Sequence, residues 1–263
     1  MYVICVANHK GGVTKSATTE HLGWLFANRH NLRVLLIDMD PQGSLTEALG
    51  VADAEGSSMA EVLGGSDRPS KRIKQIIRDL GNGLYLAPAD IAMARSEHAI
   101  ASRPLGRELV LTQELQTIKR DYDIGLIDCP PSLGQLTFNA LFASEGVIIP
   151  TGPTAKDLRG LRLFRETMDE IRPYHDIREI GVLLALYQSN INLHQRVKAE
   201  LEAADAAGAL HLFRTTIGKS VKVSEAEEMG YTLFEHEPHN PRVAEYEALA
   251  KEVLGCLSNE RVA

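Results

Sequence analysis

A short apolar run, joined without a linker to a glycine-bearing loop and then to a helical pattern, constrains this chain more than any other feature. Tyr2–Ala7 (YVICVA) has the continuous apolar character of a strand buried on both faces. Asn8-His9-Lys10-Gly11-Gly12-Val13-Thr14-Lys15-Ser16 follows it directly, and Ser16–Asn28 then sets Leu22, Leu25 and Phe26 at helical spacing. Strand, glycine turn and helix in that order make the context of a phosphate-binding loop. Glycines let backbone N–H groups approach a polyphosphate, and the helix N-terminus adds positive potential. In such a loop Lys15 reaches the β- and γ-phosphates and the Ser16 hydroxyl ligates Mg2+. The competing reading is a glycine-rich turn with solvent-facing lysines.

The same alternation continues along the chain. Arg33–Ile37 (RVLLI), Leu84–Ala87, Ile124–Ile127 (IGLI), Gly146–Pro150 (GVIIP) and Ile180–Leu186 (IGVLLAL) read as further strands, with helical stretches between most of them. This predicts an α/β fold: a mostly parallel twisted sheet with helices on both faces. The reading is one domain over 1–263, with a looser, glycine-rich excursion around 51–83. A last helix is expected over Pro241–Leu257, with Asn240 as N-cap and Pro241 at the first helical position.

Composition excludes several classes. Hydrophobic residues make up 44% and charged residues 24%, which is the balance of a globular chain rather than a disordered or fibrous one. The three cysteines, Cys5, Cys129 and Cys256, form no CxxC pair, so neither a disulfide framework nor a zinc ribbon is expected. The nine histidines are scattered without metal spacing. Trp24, on the first helix, reads as packing. The opening residues lack a basic n-region, and no stretch approaches the roughly 18 apolar residues of a membrane span. The expectation is a cytoplasmic protein that does not engage a membrane. Net charge is −7, but Ser224–Ala263 alone holds nine acids against three bases. The rest is near neutral, which leaves room for a local nucleic-acid patch.

Three aspartates follow buried strands. Asp38 and Asp40 come after VLLI, and Asp128 comes after IGLI. A carboxylate at the carboxyl end of a parallel strand faces the crevice where ligands bind. Asp128 there is suited to hold Mg2+ through water, as a Walker B acid does. The bland alternative for each is a capping or turn carboxylate, since DPQG is also a good turn sequence.

Lys-Gly-Gly-x-x-Lys-Ser, with its second lysine at Lys10, resembles the deviant Walker A loop of the ParA/MinD family of P-loop ATPases. LLIDMDPQGSLTEALG (Leu35–Gly50) is similar to that family's switch I segment, and DYDIGLIDCPPSLGQLTFNAL (Asp121–Leu141) to its Walker B and switch II segment. VIIPTGPT (Val147–Thr154) and the stretch Ser220–Val253 resemble its later segments. The likeness spans nearly the whole chain and fits best the small ParA/Soj-like partition branch. It implies ATP and Mg2+ as cofactors and a loop of Lys10, Gly11, Gly12, Val13, Thr14, Lys15, Ser16 and Ala17 around the phosphates. It implies that Lys10 enters the partner subunit's nucleotide, so that ATP glues a homodimer. Lys10, Lys15 and Asp40 become the catalytic set, with Asp40 placing the attacking water. Ser16, Asp38 and Asp128 serve the metal.

The resemblance further implies non-specific binding of double-stranded DNA by the ATP dimer. It also implies hydrolysis stimulated by a ParB-like centromere-binding partner, on the nucleoid. Basic clusters occur at Arg68–Arg78, at Arg159, Arg162 and Arg165, and at Arg214, Lys219 and Lys222. The third aligns best with the family's DNA-contacting segment. Solvated helix faces are the competing reading for all three.

Four departures from the family pattern bear on the nucleotide. Thr14 replaces a glycine, and Ala17 replaces a hydroxyl residue near the α-phosphate. Gly218 stands where relatives often have proline beside the adenine, and Leu186-Tyr187-Gln188 replaces Met-Tyr-Asp. Two other readings are kept. One is an ATPase that positions a protein assembly or acts in MinD-like cell-division placement, although LGCLSNERVA lacks a basic amphipathic face. The other is a metabolic P-loop ligase, which has no need of Lys10.

Overall fold

The computed structural model describes residues 1–51, 54–64 and 70–258. Among these, seven strands form one sheet: β1 (Tyr2–Val6), β2 (Val34–Asp38), β3 (Arg78–Gly81), β4 (Leu84–Ala87), β5 (Ile124–Asp128), β6 (Gly146–Thr151) and β7 (Arg178–Leu184). Their spatial order is β3-β4-β2-β5-β1-β6-β7. All neighbours are parallel except β3 and β4, which run antiparallel at one edge. The helices are α1 (Lys15–His30), α2 (Ser44–Ala48), α3 (Met59–Leu63), α4 (Met93–Ala101), α5 (Val110–Gln116), α6 (Gln135–Phe142), α7 (Ala155–Ile171), α8 (Asn192–Ala206), α9 (Val221–Glu228), α10 (Leu233–His236) and α11 (Pro241–Ser258).

The two-residue period of a strand divides the core into two layers. Val3 and Cys5, Leu35 and Ile37, and Val147 and Ile149 point to one face, which is covered by α3 to α8. Ile4 and Val6, Val34 and Leu36, and Leu84 and Leu86 point to the other, covered by α1, α10 and α11. Both faces are therefore dry, which is why the central strands read as unbroken apolar runs.

Three local differences from the sequence reading have physical causes. Strand β3 has no counterpart among the apolar runs: RDLG is polar, alternates half-buried with exposed positions and lies on the edge. The last strand ends at Leu184 rather than Leu186, because Leu186 turns into the left-handed region at φ 57°. The stretch 51–83 contains α3, whose Met59, Ala60, Val62 and Leu63 are buried in the core beneath a Ser58/Glu61 capping box. Arg68 lies outside the described residues.

Candidate nucleotide site

The carboxyl ends of β1, β2 and β5 meet in the middle of the sheet. Register places Val6 beside Asp128 and Asp38 beside Asp128. The three strands thus deliver the loop, Asp38/Asp40 and Asp128 to one crevice, as parallel topology requires.

The loop is anchored at its start by Asn8, which is 2% exposed. Its Nδ2 donates to the Pro150 carbonyl at 2.7 Å, and its Oδ1 accepts from the Lys10 N–H at 3.1 Å. Gly12 and Thr14 both take left-handed backbone angles, at φ 71° and 66°. Helix α1 starts at Lys15, immediately after Thr14. The Lys15 side chain curls back so that Nζ donates to the Lys10 carbonyl at 3.0 Å. Burial lowers its pKa, against the opposing pull of Asp128, Cys129 and Asp40. The ammonium of Lys10 goes elsewhere, to an ion pair with Asp157 at the start of α7.

Asp128 is fully buried and both its oxygens lack a hydrogen-bond partner. Burial holds its pKa well above the usual carboxylate range, and the charge of Asp38 adds to this. The Ser16 hydroxyl and Lys15 facing it favour the ionised form. Asp38 is also fully buried, but its oxygens are engaged. Oδ1 accepts from the Asp40 N–H at 3.0 Å, and Oδ2 accepts from the N–H and hydroxyl of Thr46 at 2.9 and 2.7 Å. Burial raises its pKa to about 6 against those bonds. Asp38 therefore shapes the turn that presents Asp40 and caps the chain entering α2. Asp40 accepts the Gln42 N–H through Oδ1 at 2.9 Å and lines the crevice.

Loop and carboxylates open into a cleft of about 400 Å³. Gly11, Gly12, Lys15 and Ser16 form one end, with Asp40 and Ser44 beside them. Leu186, Ile217, Gly218, Ser220, Glu227 and Tyr246 form the other. A Cβ at Gly218 would collide with the Arg242 guanidinium, which is paired with Glu245 at 2.7 Å. Glycine here makes room for that arginine. Among the described residues no cluster of three or more His, Cys, Asp or Glu has metal-binding geometry, and no helix is long and apolar enough to cross a membrane.

The basic residues differ in how far acids engage them. Arg162 pairs with Glu200 at 2.6 Å, Arg165 with Glu179 at 2.7 Å, and Arg72 with Glu114 at 3.0 Å. Lys222 faces Glu225 and Glu237 at 2.7 and 3.5 Å. Arg214 and Lys219 are exposed. Just past the ends of α2 and of α9, which carries Lys222, two glycines meet: a Cβ at Gly230 would stand 3.2 Å from the Gly50 Cα.

Sequence reasoning did not find several residues of this region. Asp157 had a signal, the Thr154-x-x-Asp157 spacing of a capping box, which forms here. Glu20 and His21 had none. They sit side by side on α1, each 1% exposed, with neither Glu20 oxygen hydrogen-bonded and its Oε2 3.5 Å from the His21 Nδ1. Trp24 stacks on Phe234 at 4.4 Å, as packing.

Residues 1–179 match the AAA domain family. The chain is 34% identical over 253 residues to the chromosome-partitioning ATPase Soj of Thermus thermophilus, covering 95% of this chain and 94% of the relative. The chain belongs to the ParA/Soj family of P-loop ATPases. The sporulation initiation inhibitor protein Soj of Bacillus subtilis is likewise 34% identical, over 95% and 97% of the two chains. Among solved structures, a cobyrinic acid a,c-diamide synthase from Mycobacterium smegmatis with bound ADP and magnesium aligns with a TM-score of 0.79. That pair is 30% identical and covers 97% of this chain and 94% of that one. As a ParA/Soj-family member the chain is an ATPase of the partition type.

Proposed function

We propose that this ATPase is a DNA-partition switch. ATP binding pairs two copies, and the pair binds duplex DNA without sequence preference. A ParB-like centromere-binding protein stimulates hydrolysis and so resets the cycle. The protein acts as one domain in the cytoplasm, on the nucleoid.

The observation that carries this reading is the divergence of the two loop lysines. Lys15 turns back into its own loop, whereas Lys10 leaves the loop for Asp157, with 31% of its side chain exposed. A lysine not committed to its own phosphate site can enter a second copy's nucleotide once its pair with Asp157 opens.

ATP and Mg2+ fit the residues present. The unpartnered oxygens of Asp128, buried opposite Lys15 and Ser16, are costly as they stand and suit a cation. Ser16 and Asp128 are the residues to hold it, and Asp38 supports that shell through its hold on Asp40 and Thr46. The metal, when bound, supplies positive charge against the phosphates. Gly11 to Ala17 offer N–H groups to those phosphates, and Lys15 offers its ammonium. Asp40, with Oδ1 committed to Gln42, presents its other oxygen to orient water. Arg214, Lys219 and Lys222 are the exposed cations for DNA on this rim, with Lys222 also engaged by Glu225 and Glu237.

The deciding experiment is retention of duplex DNA with ATP, ADP and no nucleotide across a salt series. Binding only with ATP, falling steeply with salt, is expected. Equal binding in all three states would overturn the switch. The likeness to the diamide synthase favours a second reading, a metabolic ATP-dependent ligase. Lys10 weighs against it.

A further inference from the structure

Thr14 occupies the loop at φ 66° and ψ 29°. A β-branched residue meets a steric penalty in that left-handed region, which glycine escapes. Two contacts tie Thr14 to the residue one helical turn on. The Thr18 N–H donates to the Thr14 carbonyl at 2.9 Å, and the two hydroxyls lie within hydrogen-bond reach at 3.4 Å. The first bond belongs to any helix start, whereas the second depends on the threonine hydroxyls. Thr18 is fully buried, and the phenol of Tyr246, from α11, faces its hydroxyl. Tyr246 is 1% exposed, borders the nucleotide cleft and stacks on His21 with ring centroids 4.4 Å apart. A line of three hydroxyls thus runs from the phosphate loop to the last helix.

We propose that Thr18 and Tyr246 are positioning residues for the phosphate loop, holding Thr14 in the left-handed conformation that a glycine would adopt unaided. This rests on the loop being the ATP site. The chain reaches the loop shape by an anchored threonine rather than by backbone freedom. The anchor is a rigid one, because Tyr246 is buried in the core layer formed by α1 and α11 and its ring stacks on His21. The loop N–H groups are then set before ATP arrives, so the effect falls on ATP binding rather than on the chemical step.

The test is a double-mutant cycle. Thr18→Val and Tyr246→Phe each remove one hydroxyl while keeping shape. Each is made in the native chain and with Thr14→Gly, and ATP turnover and binding of a fluorescent ATP analogue are measured. In the native chain the KM for ATP is expected to rise roughly three- to tenfold, the scale of one lost hydrogen bond. The kcat should stay within about twofold, because the interaction is the same in ground and transition states. Thr18→Ser, which keeps the hydroxyl, should restore native KM. Combined with Thr14→Gly, neither change should move KM further, since the residue they hold is gone. An equal fold-change in both backgrounds, or none in the native chain, would overturn the proposal. If Thr18→Val does not fold, the Tyr246→Phe cycle decides by the same criterion. Lys15→Ala tests the underlying site separately: unchanged ATP binding there would remove the phosphate-loop reading itself, whatever the cycle gives.

Discussion

Lys10 and Asp157 are ion-paired within one chain, and Asp157 is at the same time the capping carboxylate of α7. Its Oδ2 accepts the Thr154 N–H at 3.0 Å and the Thr154 hydroxyl at 2.5 Å, while Oδ1 takes the lysine. The pair holds Lys10 on its own subunit. A cross-subunit role requires that it be released. Lys10→Ala should therefore abolish ATP-dependent dimerisation in light scattering, and an unchanged dimer would refute the role. Asp157→Asn keeps an acceptor for the cap but removes the charge. Because a partly exposed pair is worth up to about 1 kcal/mol and each dimer breaks two of them, its dimer should form at up to roughly thirtyfold lower protein concentration.

Asp40 lines the cleft without being consumed by the fold, unlike Asp38. Asp40→Ala should keep ATP affinity within about twofold and lower turnover by on the order of a hundredfold, the scale of a positioned general base. Phosphate release and analogue binding measured side by side check this. Normal release would take Asp40 out of the mechanism.

The basic group near α9 is unequal. Lys219 and Lys222 are both exposed, but Lys222 is shared between Glu225 and Glu237. Lys219→Glu with Lys222→Glu should weaken DNA retention while ATP dimers persist, and Lys219→Ala alone should cost more than Lys222→Ala. For every DNA phosphate no longer neutralised, the log–log salt slope should flatten by about 0.9. Unchanged gel retardation in the double variant would discard the patch.

Much of the fold was legible because the sheet is covered on both faces. Val34–Asp38 is buried at every position, so its sequence could only be apolar until its closing aspartate. The loop was legible because its residues are contiguous. What escaped was set by distance or by exposure. Lys10 and Asp157 are separated by 147 positions, and nothing near either residue names the other. The edge strand Arg78–Gly81 was hidden by its own solvation, since an edge exposed to water has no apolar pattern to show. Glu20 and His21 look like a solvent-facing pair in sequence. They are buried because α10 and α11 lie across α1, bringing Phe234 to 5.3 Å and Tyr246 to 4.4 Å from the imidazole.

His21 gives a pH prediction. Its Nδ1 donates to the Ala17 carbonyl at 2.6 Å, and burial lowers its pKa to about 4. The unfolded chain, with an ordinary histidine near 6.5, takes up a proton first as pH falls. This contribution to stability is full above about 6.5 and is lost progressively between there and about 4. Between about pH 7 and pH 5 it amounts to about 2 kcal/mol. Urea midpoints of the native chain and His21→Gln at the two values should show the variant losing less by that amount. An identical loss in both would show that His21 does not titrate on unfolding.

Gly50 and Gly230 meet without a side chain between them. One closes the segment that leaves Asp40 through α2, and the other closes the helix that carries Lys222. Bare main chain on both sides offers no rotamer to absorb a shift. A shift of the turn after α2 toward the turn after α9 is met directly by backbone, so the two can draw closer only if main chain itself moves.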